Sequence, residues 1–527
     1  MMKKAVMGAM LAAVSIYALA VPAKRGPITR LAEDGTEQVV YLQGDEHFHY
    51  TTDAAGKWLD EMTLKPMSAE EQAMRLQAGE ARLKAARKAQ AERARIRQEK
   101  LETGTDRLLS PRGAVILVSY ADKDFSGTHE EMVDWAMGEN YTYNGATGSI
   151  HKYFLDQSWG EYDLQIDVYG PVKVSKNLSY YGSNDTQGYD KHADELVKEA
   201  CILAHDSLGA DFNGYDFDND GKVDWVVIIY AGYGESSGAP SNTIWPHQYE
   251  LSYTGMDFPL GGKTVDHYCC LNELDYFSKK REGIGTFCHE FSHVMGLPDF
   301  YPTNNATHHT LCDWDIMDYG PYNNDGKTPP CYSAYERWFM GWLTPRVLTD
   351  PEEVTLHPLN DSKEALLMCD SDAHNLDGVR PNPKKFYLME NRTKTGWDAY
   401  LPGKGMLITK INYSYNKWSQ NTVNNSSSNM GVDLMEAKAN TSSGISAYGK
   451  ATDAYPKGAT EFTKFEGHEI TEIALDEETD LITFLYRAEV EGVEVVTDGR
   501  SVSKHIENGR VVIVRDGQRF DILGNRL

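Results

Sequence analysis

Two histidines and two acidic residues are spaced in this sequence as the ligands and general base of a catalytic zinc site. His289, Glu290 and His293 form the string His-Glu-x-x-His, and Asp299 follows shortly after it. If residues 286–295 are helical, histidines four positions apart lie on one face and can share a zinc ion. Glu290 then lies beside the metal, where it can reach a metal-bound water. Three protein ligands leave one position open, as in a catalytic zinc site.

Asp299 can be the third ligand only if the chain turns back towards the two histidines after this helix. Gly296 can adopt a positive φ and end the helix, and Leu297 and Pro298 then lead an extended segment back. Two alternatives stay open. A His-Glu-x-x-His string also occurs as a polar helix stripe without metal, and a thermolysin-like site would take Glu336 as the third ligand.

A second motif, Trp-Asp-Ile-Met-Asp-Tyr-Gly, follows at residues 314–320. Metzincin peptidases carry a tight turn with a methionine beneath the metal, and Met317 is the candidate here. Because Asp299 stands where most metzincins have a third histidine, the sequence resembles secreted zinc metallopeptidases of the immune-inhibitor-A type. The resemblance implies that Tyr319 binds metal or steadies the oxyanion. Core packing of Met317 and a structural hydroxyl on Tyr319 stay open.

The resemblance covers roughly residues 113–465 and implies an α+β fold. A metzincin-like catalytic domain, with a mixed sheet and an active-site helix, is expected at residues 113–345, followed by a β-rich domain at 346–487. Periodicity agrees with this arrangement. Strands are predicted at residues 113–120, 162–168, 354–357, 385–390, 405–412 and 482–486. Helices are predicted at residues 149–158, 188–208 and 328–345.

An Asp-rich loop before a strand predicts a calcium site. Acidic residues at positions 1, 3, 5 and 9, with glycine at 6, give oxygens that converge on a hard cation. The candidate ligands are Asp216, Asp218, Asp220, the main-chain carbonyl of Lys222, and Asp224. Val227 stands where an EF-hand has its bidentate Glu, so the loop is not an EF-hand. An Asp-rich turn without metal is the alternative.

The first 112 residues predict that the protein is exported and that it is made in an inactive form. Residues 1–20 combine two lysines, an apolar run and an Ala-x-Ala site, as a signal peptide does, so a secreted or cell-surface location is expected. Residues 21–112 are then a propeptide with a small β unit and a long charged helix at 68–103. No cysteine precedes Cys201, which excludes a cysteine switch. The candidates for capping the zinc instead are Asp45, Glu46, His47 and His49.

Composition and charge limit the classes of molecule that this protein is expected to bind. The 527-residue chain has a formal net charge of −26, which disfavours nucleic acid. No stretch after the signal reaches membrane-spanning length. Protein or peptide substrates are expected, and the sequence leaves the oligomeric state open. Residues 488–527 predict either a sorting tail or a closing hairpin.

These features together predict a secreted zinc endopeptidase made as a zymogen, with Glu290 as the general base. Two other classes stay open: an inactive metallopeptidase-like surface adhesin, and a calcium-dependent carbohydrate-binding protein. Trp397 and Trp418 are candidates for a sugar or protein contact, with core packing as the alternative. His247, in a glycine-rich segment, is either a substrate or metal contact or a structural residue.

Overall fold

The computed structural model describes three parts of the chain. These are residues 21–80 without 33, 47 and 62; residues 112–487 without 186–189, 305, 372–373 and 443–447; and residues 502–507, 510–515, 517–520, 526 and 527. The predicted signal peptide, most of the predicted charged helix and the linker that follows it lie outside the described residues.

Residues 21–80, part of the predicted propeptide and called the prosegment below, form a small antiparallel sheet that packs on the predicted catalytic unit at residues 113–345. Its strands, in the order β1-β2-β3-β4, are β1 (Ile28–Leu31), β2 (Glu37–Gly44), β3 (His49–Thr52) and β4 (Trp58–Leu59). Ile28, Val40 and Leu42 share a buried cluster with Trp245 of the catalytic unit. Helix α1 covers residues 69–80 and is mostly exposed, as the predicted charged helix requires.

A five-stranded mixed sheet is the centre of the catalytic unit. Its strands are β5 (Arg112–Ser119), β6 (Gln165–Lys173), β7 (Val226–Tyr233), β8 (His247–Glu250) and β11 (His267–Leu274). The order is β6-β5-β7-β11-β8, parallel except for the antiparallel edge strand β8. Strands β5 and β7 are buried almost throughout, because parallel strands are covered on both faces. The short hairpin β9 (Phe258–Leu260) and β10 (Lys263–Val265) lies outside this sheet.

Helices cover the sheet and carry the site. They are α2 (His129–Met137), α3 (Ile150–Gln157), α4 (Leu178–Gly182), α5 (Ala193–Leu208), α6 (Gly285–Val294) and α7 (Ala334–Phe339). The helix predicted over residues 328–345 is therefore wrong in extent. The side chain of Ser333 caps α7 by accepting from Glu336 N, and the prolines at 329 and 330 precede it. Gly341, with φ of 79°, turns the chain away after it.

The chain after residue 345 is β-rich, as predicted. One sheet has the order β12-β14-β15-β16-β17 and another the order β13-β19-β18. Their strands are β12 (Arg346–Val347), β13 (Glu352–Leu356), β14 (Leu366–Met368), β15 (Lys385–Arg392), β16 (Gly405–Asn412), β17 (Val432–Leu434), β18 (Ile470–Leu475) and β19 (Ile482–Tyr486). The short helix α8 (Tyr415–Ser419) follows β16.

The catalytic unit and the first β sheet share one hydrophobic core. The same cluster contains Val227 on β7, Phe291 on α6, Leu388 on β15 and Ile411 on β16. The boundary predicted at residue 345 is therefore not a gap between two cores. The side chains behind the active-site helix continue without interruption into the β-rich region.

The last described residues form a small antiparallel sheet. Its strands are β20 (Val502–Glu507), β21 (Arg510–Arg515) and β22 (Gln518–Phe520). Strands β21 and β22 pair antiparallel, with Arg515 opposite Gln518. No helix in the described parts of the chain is long and apolar enough to cross a bilayer. All seven cysteines lie among the described residues; they are buried and form no disulfide bond there.

Candidate active site

Helix α6 presents the two histidines on one face, as their spacing predicts. His289 Nδ1 donates to the carbonyl of Ile316, and His293 Nδ1 donates to the carbonyl of Leu297, each at 2.8 Å. Because a carbonyl can only accept, the proton of each ring is on Nδ1 and the lone pair is on Nε2. The two Nε2 atoms are 3.1 Å apart. Two lone pairs that face each other at this distance would be stabilised by a cation held between them.

Asp299 completes the cluster. Gly296 has φ of 99°, which confirms its expected role as the residue that ends the helix. The Oδ1 atom of Asp299 lies 3.1 Å from His289 Nε2 and 3.2 Å from His293 Nε2. The three acceptor atoms therefore converge from one side, and all three residues are buried. Two imidazoles and one carboxylate with an open fourth side are a donor set that fits zinc.

The electrostatics of the cluster agree with a cation site. Burial lowers the pKa of His289, so its ring is held neutral, as a metal ligand must be. Burial would raise the pKa of Asp299, but His293 and His289 hold it well below its usual range. Asp299 therefore stays ionised at any ordinary pH, and it contributes the negative charge of the site.

Glu290 lies beside the cluster, fully buried. Burial raises its pKa well above the usual range, and Glu46 of the prosegment raises it further. Its Oε1 atom accepts a hydrogen bond from the backbone nitrogen of Val21 at 2.7 Å. A raised pKa suits a carboxylate that must take a proton and then release it.

The turn around Met317 underlies the histidines. Asp315 Oδ1 accepts from the nitrogen of Met317 at 2.8 Å, and the carbonyl of Met317 accepts from Phe300 at 2.7 Å. This ties the turn to the segment that carries Asp299. Because Ile316 accepts from His289, the turn also fixes the orientation of that ring. Met317 itself is fully buried.

Tyr319 lies under the prosegment. The guanidinium of Arg25 is 3.2 Å from the centre of its ring. Burial raises the pKa of Tyr319, and the nearby Arg25 opposes that rise. Arg25 thus covers one face of the Tyr319 ring.

Residues 21–25 of the prosegment occupy the cleft over the site. The indole Nε1 of Trp245 donates to the carbonyl of Val21 at 3.2 Å, and the hydroxyl of Tyr322 donates to the carbonyl of Pro22 at 2.6 Å. The nitrogen of Lys24 donates to the carbonyl of Ser236 at 2.8 Å. These contacts hold the segment by its backbone, as a peptidase cleft holds a substrate. Val21 is fully buried.

The four loop residues considered as zinc caps have different surroundings. Asp45 accepts from the nitrogen of Phe48 at 3.0 Å, and His49 stacks on Trp245 with ring centres 4.7 Å apart. His47 lies outside the described residues. Glu46 is buried, which raises its pKa, and Asp299 raises it further. Among the described residues of this loop, Glu46 thus interacts electrostatically with both Glu290 and Asp299.

The Asp-rich loop brings three of its five candidate ligands together. Asp216, Asp218 and Asp220 each offer a carboxylate oxygen within 4.8 Å of the others. Lys263 Nζ lies 2.6 Å from Asp216 Oδ2 and occupies part of this space. The other two candidates are Asp224, whose Oδ2 accepts from the nitrogen of Phe217 at 2.7 Å, and the main-chain carbonyl of Lys222. The Lys222 ammonium pairs with Asp266 at 2.6 Å, which leaves the predicted role of its carbonyl untested.

Several other sequence candidates have structural surroundings. The buried carboxylate of Glu336 accepts from the nitrogen of Ser333 and serves the cap of α7. His247 is buried and hydrogen-bonded to Trp245 and Tyr268. Trp397 and Trp418 pack inside.

Trp397 Nε1 donates to Asp156 at 2.8 Å, and its ring meets that of Tyr153. Trp418 packs against Tyr335 and Tyr413. Neither tryptophan offers the exposed platform that sugar binding needs.

Sequence reasoning missed the residue that holds Asp299. Asn421 Nδ2 donates to Asp299 Oδ2 at 2.5 Å, and its Oδ1 accepts from the nitrogen of Asp299 at 2.7 Å. Its only signal was its place in the Trp-x-x-Asn-x-Val-Asn string at residues 418–424. The roles of Trp245 and Tyr322 in holding the prosegment were missed as well.

Comparison with known proteins agrees with this site. Residues 116–343 match the family described as immune inhibitor A peptidase M6, catalytic domain. The chain is 25% identical over 315 residues to the pre-pro-metalloprotease PrtV of Vibrio cholerae serotype O1 (strain M66-2), covering 52% of this chain and 32% of that protein. It is 28% identical over 274 residues to immune inhibitor A of Bacillus thuringiensis subsp. alesti, covering 43% of this chain and 39% of that protein.

The matches extend to a fungal protein. A putative secreted metallopeptidase of Arthroderma benhamiae (strain ATCC MYA-4681 / CBS 112371) is 21% identical over 206 residues, with 34% of this chain and 30% of that protein covered. The chain thus spans about a third of the length of the curated relatives it matches. The resemblance to the immune-inhibitor-A-type metallopeptidases is confirmed, and the match to the catalytic domain of that family spans residues 116–343.

Proposed function

We propose that this chain, which carries an immune-inhibitor-A-type catalytic domain at residues 116–343, is an exported zinc-dependent endopeptidase made as a zymogen. The convergence of the Nε2 atoms of His289 and His293 with Asp299 Oδ1, at 3.1 to 3.2 Å, carries the proposal. Three converging buried acceptors are a metal site, and the buried Glu290 beside them supplies the base.

The chemistry divides between the metal and this chain's residues. When bound, zinc supplies a Lewis acid that makes water acidic enough to attack at neutral pH. Glu290 takes a proton from the attacking water and hands it to the leaving amine. Its position agrees with the second step, since its Oε1 atom accepts a hydrogen bond from the main-chain nitrogen of Val21, which becomes an amine once the signal peptide is removed. Tyr319 is proposed to donate to the carbonyl oxygen of the substrate once Arg25 has left.

Latency is proposed to come from residues 21–25. While Val21 donates to Oε1 of Glu290, that oxygen is not available to an attacking water. Trp245 and Tyr322 bind the backbone of the segment at the positions that a substrate backbone needs. Glu46 adds a buried negative charge beside the site, which a bound zinc ion would stabilise. Removal of the prosegment is then the activating step.

A structural calcium ion in the Asp-rich loop is proposed as a second metal. The convergence of Asp216, Asp218 and Asp220 supports it. The ion would have to displace the ammonium of Lys263 from Asp216. Titration of the full chain with calcium tests this: the melting temperature should rise, and it should rise less in Asp218→Asn. An equal rise in both proteins would count against the loop.

Export by a signal peptide at residues 1–20 is proposed from the sequence pattern. Sequencing of the N-terminus of the secreted protein tests it, and a start at Val21 is expected. A retained N-terminus would overturn the signal peptide without touching the peptidase assignment.

The test of the proposed function compares the full chain with its Glu290→Ala variant, both treated by limited proteolysis to remove the prosegment. Zinc content and casein hydrolysis are measured for each. The expected result is equal zinc content and a loss of activity of about a thousandfold in the variant. Zinc in both proteins with activity in neither would favour a binding protein. No zinc in either would overturn the metal site.

A further inference from the structure

The side chain of Lys24 ends in an acidic pocket of the catalytic unit. Its Nζ atom lies 2.7 Å from Asp275 Oδ2 and 3.9 Å from Asp325 Oδ1. It also lies 4.7 Å from the centre of the Phe277 ring. Glu282 is the third acidic residue of the pocket. Asp275 raises its pKa, and Lys24 lowers it. The side chains of Lys24 and Asp275 are only 7% and 2% exposed.

The register of the segment defines what this pocket would read in a substrate. Glu290 must hand its proton to the leaving amine, so the nitrogen that it contacts marks the first residue after the cleaved bond. That nitrogen belongs to Val21. Tyr322 holds the carbonyl of Pro22, and Ser236 holds the nitrogen of Lys24, so the chain continues away from the base in one direction. Lys24 is therefore the fourth residue on the amine side.

We propose that the pocket of Asp275 and Glu282, which we call the acidic subsite, selects a lysine or arginine at the fourth residue on the amine side of the cleaved bond. This inference rests on the proposed peptidase function and deepens it. The prosegment then inhibits as a product-like occupant of the same subsite. The preferred substrates are proteins and peptides with a basic side chain at that position.

The physical reason is the state of the acidic subsite after the prosegment leaves. Two neighbouring buried carboxylates without a cation are strongly unfavourable. Burial and Asp275 raise the pKa of Glu282 to about 8, even though Lys24 opposes this. A substrate ammonium or guanidinium would relieve the repulsion and form charge-assisted hydrogen bonds. A neutral side chain would leave Asp275 Oδ2 without the cation that Lys24 supplies in this structure.

Hydrolysis of a matched peptide pair tests the acidic subsite. The two peptides differ only at the fourth residue after the cleaved bond, which is lysine in one and norleucine in the other, and mass spectrometry confirms the bond cut. The full chain is processed by limited proteolysis before use. We expect kcat/KM to favour the lysine peptide by about tenfold or more. In Asp275→Asn, which keeps the acceptor for Ser278, this ratio should fall towards one.

Two further variants separate the subsite from general charge effects. Asp124→Asn removes an acid whose side chain is 80% exposed, and it should keep the wild-type ratio. Asp275→Lys should invert the preference towards a peptide with glutamate at the fourth position. These comparisons use ratios within each protein, so a variant that folds less well does not obscure them.

Each outcome decides a different point. If the wild-type protein cleaves casein and shows a ratio near one, the acidic subsite is wrong and the peptidase function stands. A ratio that is high in wild type and unchanged in Asp275→Asn would also overturn the subsite. If casein is not cleaved at all, the proposed function and the subsite fail together.

Discussion

The side-chain amide of Asn421 forms two hydrogen bonds with Asp299. Its Nδ2 donates to the carboxylate at 2.5 Å, and its Oδ1 accepts from the backbone nitrogen at 2.7 Å. The two residues are 122 positions apart in the chain, and Asn421 lies after helix α8, in the β-rich region. The third acceptor of the metal site is therefore oriented by a residue outside the catalytic sequence segment.

Loss of these two hydrogen bonds should weaken zinc binding. In Asn421→Ala, we expect the zinc affinity of the full chain to fall by about 10- to 100-fold, because partners of metal ligands fix their orientation. Competition with a chromogenic chelator measures it. Asn416→Ala, at an exposed position on α8, is the matched control and should bind zinc as wild type does. Equal affinities in all three proteins would mean that Asp299 holds its place without Asn421.

The candidate site shows which parts of a site local sequence can predict. His289, Glu290, His293 and Asp299 lie within eleven positions of one another, on one helix and the turn after it, so spacing alone was sufficient. Asn421 could not be found in this way, because its contact with Asp299 depends on how the β-rich region packs on the catalytic unit. Periodicity found the buried strands for the same local reason.

Two misses have identifiable physical causes. The helix predicted to start at residue 328 starts at Ala334, because the cap by Ser333 and the two prolines before it outweigh an apolar pattern that continues on both sides. The boundary expected at residue 345 divides no core, since side chains of β15 and β16 pack into the catalytic core. A change from helical to β pattern marks a change of element, and it does not by itself mark a domain.

Arg25 should help to keep the zymogen inactive. Its guanidinium lies 3.2 Å from the centre of the Tyr319 ring, and the residue is half-buried there. A half-buried contact of this kind contributes about 1.4 kcal/mol, which is a factor of ten in an equilibrium constant. In the full chain, Arg25→Ala should therefore speed the appearance of casein-cleaving activity by about tenfold. Lys57→Ala, at an exposed position of the same prosegment, should not. If casein-cleaving activity appears at the same rate in Arg25→Ala as in wild type, Arg25 does not help to keep the zymogen inactive.

Arg392 should be essential for the shared core. It is 1% exposed and donates to Asp398 at 2.6 and 2.8 Å, to Glu390 at 3.0 Å, and to the carbonyl of Cys331 at 3.0 Å. Removing it leaves two buried carboxylates without their cation, which destabilises a protein by about 3–5 kcal/mol. We expect Arg392→Met to lower the urea midpoint of the full chain strongly.

An exposed ion pair provides the control for this change. Arg346 pairs with Glu352 at 2.7 Å, and their side chains are 48% and 35% exposed. Such pairs contribute at most about 1 kcal/mol, so Arg346→Met should leave the midpoint nearly unchanged. Similar losses in both variants would contradict the importance assigned to burial.

His247 should make stability fall in acid. Its Nδ1 donates to the carbonyl of Trp245 at 2.6 Å, and its Nε2 accepts from the hydroxyl of Tyr268 at 3.2 Å. Burial lowers its pKa from 6.5 to about 4. The folded chain thus binds this proton less readily than the unfolded chain does. The stability contributed by neutral His247 is present above pH 6.5, and it is lost as the pH falls through 6.5 towards 4.

The measurement compares urea unfolding of the full chain and of His247→Gln at pH 7.5 and at pH 4.5. The loss attributable to His247 across this interval is on the order of 2–3 kcal/mol. The variant should be less stable than wild type at pH 7.5, because it disturbs two buried hydrogen bonds. Its disadvantage should shrink at pH 4.5, because glutamine does not titrate. A stability difference that is the same at both pH values would show that folding does not shift the pKa of His247.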